Sequence, residues 1–230
     1  MGRLVRNLLG ILAVIAMVAG PAAAHFQLVP PLAGFVPFAL GGLVALVTGL
    51  VSLVQLVRGR GLTLGGGLAV LGGLALVAIA SGGAGHPRIN DFTTDLADPP
   101  TFRAAAALPE NAGRDLSYPA AFAAIQRECC ADLHPAKLAV APADARTRAL
   151  QAVTELPGWR TTRDDAATFE VEGVVTSQLF RFSDDVVVRI RPDGTGSVVD
   201  VRSKSRDGQG DMGVNAARIR QIVGRVEAAR

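Results

Sequence analysis

Asp184–Ser203 reads DDVVVRIRPDGTGSVVDVRS, and this stretch decides the fold of the carboxyl-terminal half. Two runs of alternating residues flank Pro192-Asp193-Gly194-Thr195-Gly196, an Asp-Gly type of hairpin turn. With Asp193–Gly196 as the loop, Arg191 faces Val198, Arg189 faces Asp200 and Val187 faces Arg202. That register puts Val188, Ile190, Val199 and Val201 on one face, expected to be buried. Arg189, Arg191, Asp200 and Arg202 fall on the other, where opposite charges can ladder across strands.

Outward from the hairpin, the two-residue period extends back to Gly158. Trp159–Arg163 and Ala167–Thr176 read as two more strands, with Phe169 and Val171 inward and Glu170 and Glu172 on the charged face. Upstream, a helix opens at Pro119 and runs to about Ala131, with Phe122, Ile125 and Cys129 as its apolar stripe. Lys137–Val140 is a short strand, and Ala143–Leu156 is a helix with Leu150 and Val153 inward. A last helix follows Asp211, a good N-cap residue, and continues to about Ala228 on a stripe of Ile219, Ile222, Val223 and Val226. Asn215 falls in the middle of that stripe, whereas Arg218, Gln221 and Arg225 sit to one side. A buried amide needs hydrogen-bond partners, so Asn215 is singled out. The fold class is α+β: an antiparallel sheet of four to five strands, with helices packed on one face.

The amino-terminal half is different in kind. Residues 1–85 hold four charged side chains, Arg3, Arg6, Arg58 and Arg60, and no acid. Residues 86–230 therefore hold all 20 acids against 19 bases, a formal net charge of −1. The basic pI belongs to the first half, which removes the argument for a nucleic-acid partner. The excess of Arg over Lys fits the coding bias of a GC-rich genome. Three apolar stretches stand out, at residues 8–24, 35–57 and 62–80, the last two long enough to cross a hydrocarbon core. Lys and Arg flanks stay cytoplasmic. This places the amino terminus and the 58–60 turn inside, and residues 86–230 on the periplasmic side of a bacterial inner membrane. The first stretch would also suit a cleavable signal peptide, with Pro21-Ala22-Ala23-Ala24 before His25, so two or three transmembrane helices are expected. Gly41, Ala45 and Gly49, and Gly65, Ala69 and Gly73, form small-residue ridges on the second and third spans. The ridges are expected to pack as a hairpin, and could also support a homo-oligomer in the bilayer.

Three segments carry a family resemblance: His86–Phe102 (HPRINDFTTDLADPPTF), Phe182–Ile190 (FSDDVVVRI) and Val199–Arg220 (VDVRSKSRDGQGDMGVNAARIR). Together they resemble the DUF1499 family and span nearly all of residues 86–230. The resemblance implies a domain boundary near residue 86 and no activity, because the family's function is unknown. One departure is Glu128–Pro135, ECCADLHP, where the family tends to carry a Tyr-Pro-Asp stretch. Asp132 and Pro135 are its possible remnants.

For chemistry, the leading candidate is Arg202, Ser203, Lys204, Ser205 and Arg206, running through glycines to Asp211, with Asn215 and Arg218 on the helix. Cations, hydroxyls and a helix amino terminus together could hold a carboxylate or phosphate. The competing reading pairs Arg202 with Glu170 or Glu172, leaves Asp211 as a cap, and lets Asn215 tie the 203–210 loop to the helix. Asp184 and Asp185, with the Arg202–Arg206 segment, are the only basis for an envelope hydrolase. Adjacent strand residues point to opposite faces, however, and turn capping suits them better. No nucleophile elbow, P-loop, dinucleotide fingerprint or zinc spacing occurs, so no cofactor or metal is expected. Cys129 and Cys130 are adjacent and read as small core residues rather than a disulfide. The expectation is a non-enzymatic, membrane-tethered domain that binds an anionic envelope component or a partner protein. A purely structural assembly module is the remaining alternative.

Overall fold

The computed structural model describes residues 2–229, which divide into two compact units. The first comprises residues up to 84 together with 178–181, and the second comprises 85–177 and 182 onward.

The first unit contains three long helices, α1 (Arg3–His25), α2 (Pro31–Val57) and α3 (Leu64–Gly83), each long and apolar enough to cross a membrane. Pro31 sits at the start of α2, where its missing N–H costs nothing. Thr63 caps α3 by accepting from the Gly66 N–H at 3.1 Å. The small-residue ridges do meet: a Cβ on Gly49 would lie 2.9 Å from the Ala69 carbonyl oxygen. They also serve α1, which the sequence reading left out of the hairpin. Gly41 faces the Ala13 backbone, and a Cβ on Gly10 would fall 1.9 Å from the Gly65 oxygen. Large apolar side chains such as Leu40, Leu43, Val47 and Leu50 point outward and are exposed, as lipid-facing residues are.

The second unit is α+β. Its six strands are β1 (Asp91–Thr93), β2 (Ala136–Leu138), β3 (Trp159–Asp165), β4 (Glu170–Thr176), β5 (Ser183–Asp193) and β6 (Gly196–Ser205). The sheet is antiparallel in the order β1-β6-β5-β4-β3, and β2 also pairs with β6. The hairpin register is the expected one, with Arg191 opposite Val198, Arg189 opposite Asp200 and Val187 opposite Arg202. The strand count exceeds the expected four to five because residues 91–93, read as an extended strap, also pair. β1 and β2 share one edge of β6, at opposite ends of it. Thr94 bridges the gap between them: its Oγ1 accepts from Val201 N–H at 2.9 Å. The long strand therefore has no open edge along which another chain could add.

On the apolar face Val171, Val186, Val188, Ile190, Val199 and Val201 pack under α6 (Pro142–Thr154) and α7 (Val214–Ala228). Residues 167–169 turn rather than extend, with Phe169 in the left-handed region (φ 52°), and its ring still packs on this core. The charged face is largely covered rather than solvated. Residues 94–118, including the one-turn α4 (Ala104–Ala107), cover it, and Phe102, Ala105, Val187 and Leu116 form a second small core there. Glu172 ties the cover down. Its buried carboxylate accepts from the Arg103, Ala104 and Ala105 N–H groups at 2.9 to 3.1 Å. Glu170 pairs with Arg103 at 3.2 Å.

α5 (Ala120–Cys129) departs from its expected phase. Ile125 and Cys129 are exposed, and Gln126 is the buried residue. Of the two thiols only Cys130 joins the core.

Candidate functional site

β6 distributes the sequence-selected residues between two faces. Extended backbone alternates its side chains, so Arg202 and Lys204 point to the covered charged face while Ser203 and Ser205 point toward α7. The eight candidates thus form two separate clusters, and not one anion pocket.

The α7 cluster is a closed polar network. Asn215, fully buried, accepts at Oδ1 from Ser203 Oγ (2.6 Å) and Arg218 Nη1 (2.7 Å). Its Nδ2 donates to Ser205 Oγ at 2.8 Å and to the Asn90 carbonyl at 3.3 Å. Arg218, read from the sequence as lateral, is buried, and its Nη2 reaches Asp184 at 2.7 Å. Asp211 accepts from the Gly213 and Asn215 N–H groups at 2.9 and 2.6 Å, although the helix itself starts at Val214. Every donor and acceptor named here meets another, which is the arrangement of a structural joint.

Arg206 donates to Asp185 through Nε (3.0 Å) and Nη2 (2.6 Å), and Asn111 donates to the same carboxylate at 2.9 Å. Asp184 and Asp185 lie on opposite faces, each neutralised by its own arginine. They do not form a general acid/base pair, so the geometry gives the hydrolase reading no support.

The charged-face cluster is built on Arg202, only 2% exposed. Its partner is Asp91 of β1, and neither Glu170 nor Glu172. Nε and Nη2 donate to the two Asp91 oxygens at 2.9 and 2.8 Å, a bidentate fork. Nη1 and Nη2 also donate to the Pro100 and Leu116 carbonyls, at 3.0 and 2.8 Å. Lys204 Nζ adds a third bond to Asp91, at 3.0 Å. The guanidinium carbon lies 4.6 Å from the Phe102 ring centroid and 5.6 Å from that of Tyr118. The Tyr118 hydroxyl donates to Gln126 Oε1 at 3.0 Å. Burial, then the charge of Asp91, push the Tyr118 hydroxyl above its ordinary pKa and keep it protonated. Gln126 in turn clamps Thr93, accepting from its N–H at 3.1 Å and donating to its carbonyl at 2.5 Å.

Beside Arg202 opens a cleft of about 560 Å³. Leu96, Pro99, Phe102, Leu116, Tyr118 and Ala123 give it largely apolar walls, and Thr101, Ser117 and Arg202 supply its polar groups. Of its residues only Arg202 was singled out from the sequence. Asp91, Phe102 and Tyr118 lacked a local signal. Gln126 had one, a long amide four residues after Phe122 on the inward face of a helix. Among the described residues no group of three or more His, Cys, Asp or Glu side chains could hold a metal.

Fold and site together define an α+β domain with a buried arginine-floored cleft, joined to three helices apolar enough to span a membrane. The chain belongs to the DUF1499 family, described as a protein of unknown function, whose model matches residues 91–226. That span runs from Asp91 to Val226, taking in the whole sheet and the inward stripe of α7. Comparison with curated proteins and with solved structures gives no match. Asp132 holds Arg220 through both its oxygens. That hydrogen bonding is what keeps the Asp132 carboxyl below the ordinary aspartate range.

Proposed function

We propose that the chain is anchored in a bacterial inner membrane with its amino terminus in the cytoplasm, and that residues 86–230 form a non-enzymatic periplasmic binding domain. Its ligand is an amphiphilic envelope component: an apolar portion lies in the Arg202 cleft and an anionic group faces Arg202 and Lys204. The observation that carries this reading is the cleft itself, whose largely apolar walls include one cation, Arg202, held in place by the buried Asp91 carboxylate. Ligand sites of this kind are concave, mostly apolar and oriented by a few polar groups. The positive flanks of the helices support the orientation.

A diazirine-bearing fatty acid tests the binding. Full-length protein in nanodiscs is photolabelled, and the adducts are mapped by peptide mass spectrometry. Labelling is expected within residues 96–123, stronger for the acid than for the matching alcohol, and abolished by Ala123→Trp, which fills the cleft. Labels confined to the three helices, or unaffected by Ala123→Trp, would refute it. A periplasm-dependent reporter such as alkaline phosphatase, fused after Gly85, tests the orientation, and an inactive fusion would reverse it.

A further inference from the structure

The end of the three-helix bundle that carries Arg3, Arg6, Arg58 and Arg60 holds a second site. Arg6 lies on the packed face of α1, in series with Gly10, Ala13 and Met17, and is 3% exposed. Its Nε is enclosed, and among the described residues no atom accepts from it. Long cationic side chains near a helix end normally extend their heads into water. Arg6 is packed inward instead, and residues 1–85 contain no carboxylate side chain that could answer it. The same end carries Arg3, Arg58 and Arg60, the other three cations of residues 1–85. Asn7 Oδ1 accepts from the Gly65 N–H at 2.8 Å, which brings the start of α1 to the start of α3. Arg58 and Arg60, both exposed, lie in the turn leading into α3, and Arg3 begins α1. Arg60 is steadied by a bond from its Nη1 to Gln55 Oε1, at 3.0 Å.

Four guanidinium groups therefore gather at one end of an apolar bundle, and one of them is buried with its Nε unpaired among the described residues. We infer that this end binds the phosphate of an anionic phospholipid headgroup. Arg6 presents the planar edge of its guanidinium as the inner contact, and Arg3, Arg58 and Arg60 form an outer ring. Arginine suits phosphate because its fork donates two parallel bonds. A headgroup at the bilayer interface also supplies the negative charge that the chain lacks at this depth. The inference rests on the three helices lying in a bilayer and is independent of what the Arg202 cleft holds.

Full-length protein reconstituted in nanodiscs of phosphatidylglycerol and phosphatidylcholine, then released for native mass spectrometry, provides the test. Incorporation into the nanodisc checks the membrane embedding separately. The expected result is one retained phosphatidylglycerol in preference to phosphatidylcholine. Arg58→Gln and Arg60→Gln should each lower retention about fivefold, and Arg6→Gln at least about tenfold. Arg6→Lys should retain more than Arg6→Gln. If Arg6→Gln does not fold, the lipid preference of the wild type and the two turn variants decide. Equal retention of both lipids would overturn the inference, as would retention unchanged in the variants. Thermal stabilisation of lipid-free protein in detergent by inorganic phosphate, equal to that by phosphatidylglycerol, would overturn the lipid assignment in favour of a soluble anion.

Discussion

Asp91→Ala is the substitution that tests most directly how the charged face is held. Asp91 is fully buried and accepts three charge-assisted hydrogen bonds: Arg202 Nε at 2.9 Å, Arg202 Nη2 at 2.8 Å and Lys204 Nζ at 3.0 Å. Its removal leaves one cation enclosed and another mostly enclosed, with no carboxylate between them. Breaking a buried pair from one side costs about 3–5 kcal/mol, chiefly because the remaining charge stays desolvated. With a urea dependence of about 2 kcal/mol per molar for a domain of this size, the unfolding midpoint should fall by about 2 M. Trp159, the sole tryptophan, lies in β3 against the core and reports unfolding of this unit by its fluorescence. The control is Asp132→Ala, which breaks the Arg220 pair, whose side chains are 57% and 44% exposed. Solvent screens that pair, and its loss should cost less than about 1 kcal/mol. In the double variant Asp91→Ala/Arg202→Met the cost should fall well below the sum of the two single costs, because the methionine removes the fully enclosed guanidinium and leaves only Lys204 without its carboxylate. Equal small shifts for Asp91→Ala and Asp132→Ala would refute the reasoning and mean that water reaches the Arg202 guanidinium.

Three further outcomes follow from the same structure. Asn215→Leu strips Ser203, Ser205 and Arg218 of a shared partner and should destabilise the domain by about 3 kcal/mol in the same urea assay. A loss under 1 kcal/mol would mean the network is dispensable. Gly173→Ala places a methyl group where an ideal Cβ lies 2.3 Å from the Trp159 ring, so the indole must move. A cost of about 1–3 kcal/mol with a shifted Trp159 emission is expected, and an unchanged spectrum would contradict the packing. Cys129 is exposed as a residue, but partial burial of its sulfur, and next the neighbouring Cys130, push the thiol up to about 12. Its alkylation rate should keep rising beyond about pH 10, where unfolded thiols level off, and a plateau near pH 10 would refute the shift. The linked effect on folding has a definite sign. A raised folded-state pKa leaves stability intact below the unfolded value of 9.0 and lowers it as pH rises from there toward 12.

The hairpin was legible because period-two alternation and a short Asp-Gly turn fix register together, and a slip of one residue would have buried Arg189 and Asp200 in place of Val188 and Val199. The same alternation identifies which residues share a face, but not what covers that face. Its cover, residues 94–118, is mostly irregular backbone full of turn formers, and irregular backbone has no period to read. Asp91 could not be told from Asp95 or Asp98, because its partner Arg202 is 111 residues away and only the fold brings them together.

Two amides show how far the reading of helices could reach. Asn215 interrupts a four-residue apolar stripe and is conspicuous. Gln126 lies in a ten-residue helix, where Phe122, Ile125 and Cys129 offered an equally good stripe one step out of phase. In the fold the two residues do related work. Asn215 donates to the carbonyl of Asn90, just before β1, and Gln126 bonds both backbone groups of Thr93, the last residue of β1. A three-residue strand has little stability of its own. Clamped by an amide at each end, β1 holds Asp91 where it fixes the Arg202 guanidinium at the floor of the cleft. The asparagine that the sequence marks in α7 and the arginine that floors the cleft therefore lie on opposite faces of the sheet, joined through one short strand. Weakening either clamp should loosen the cleft floor without touching its walls.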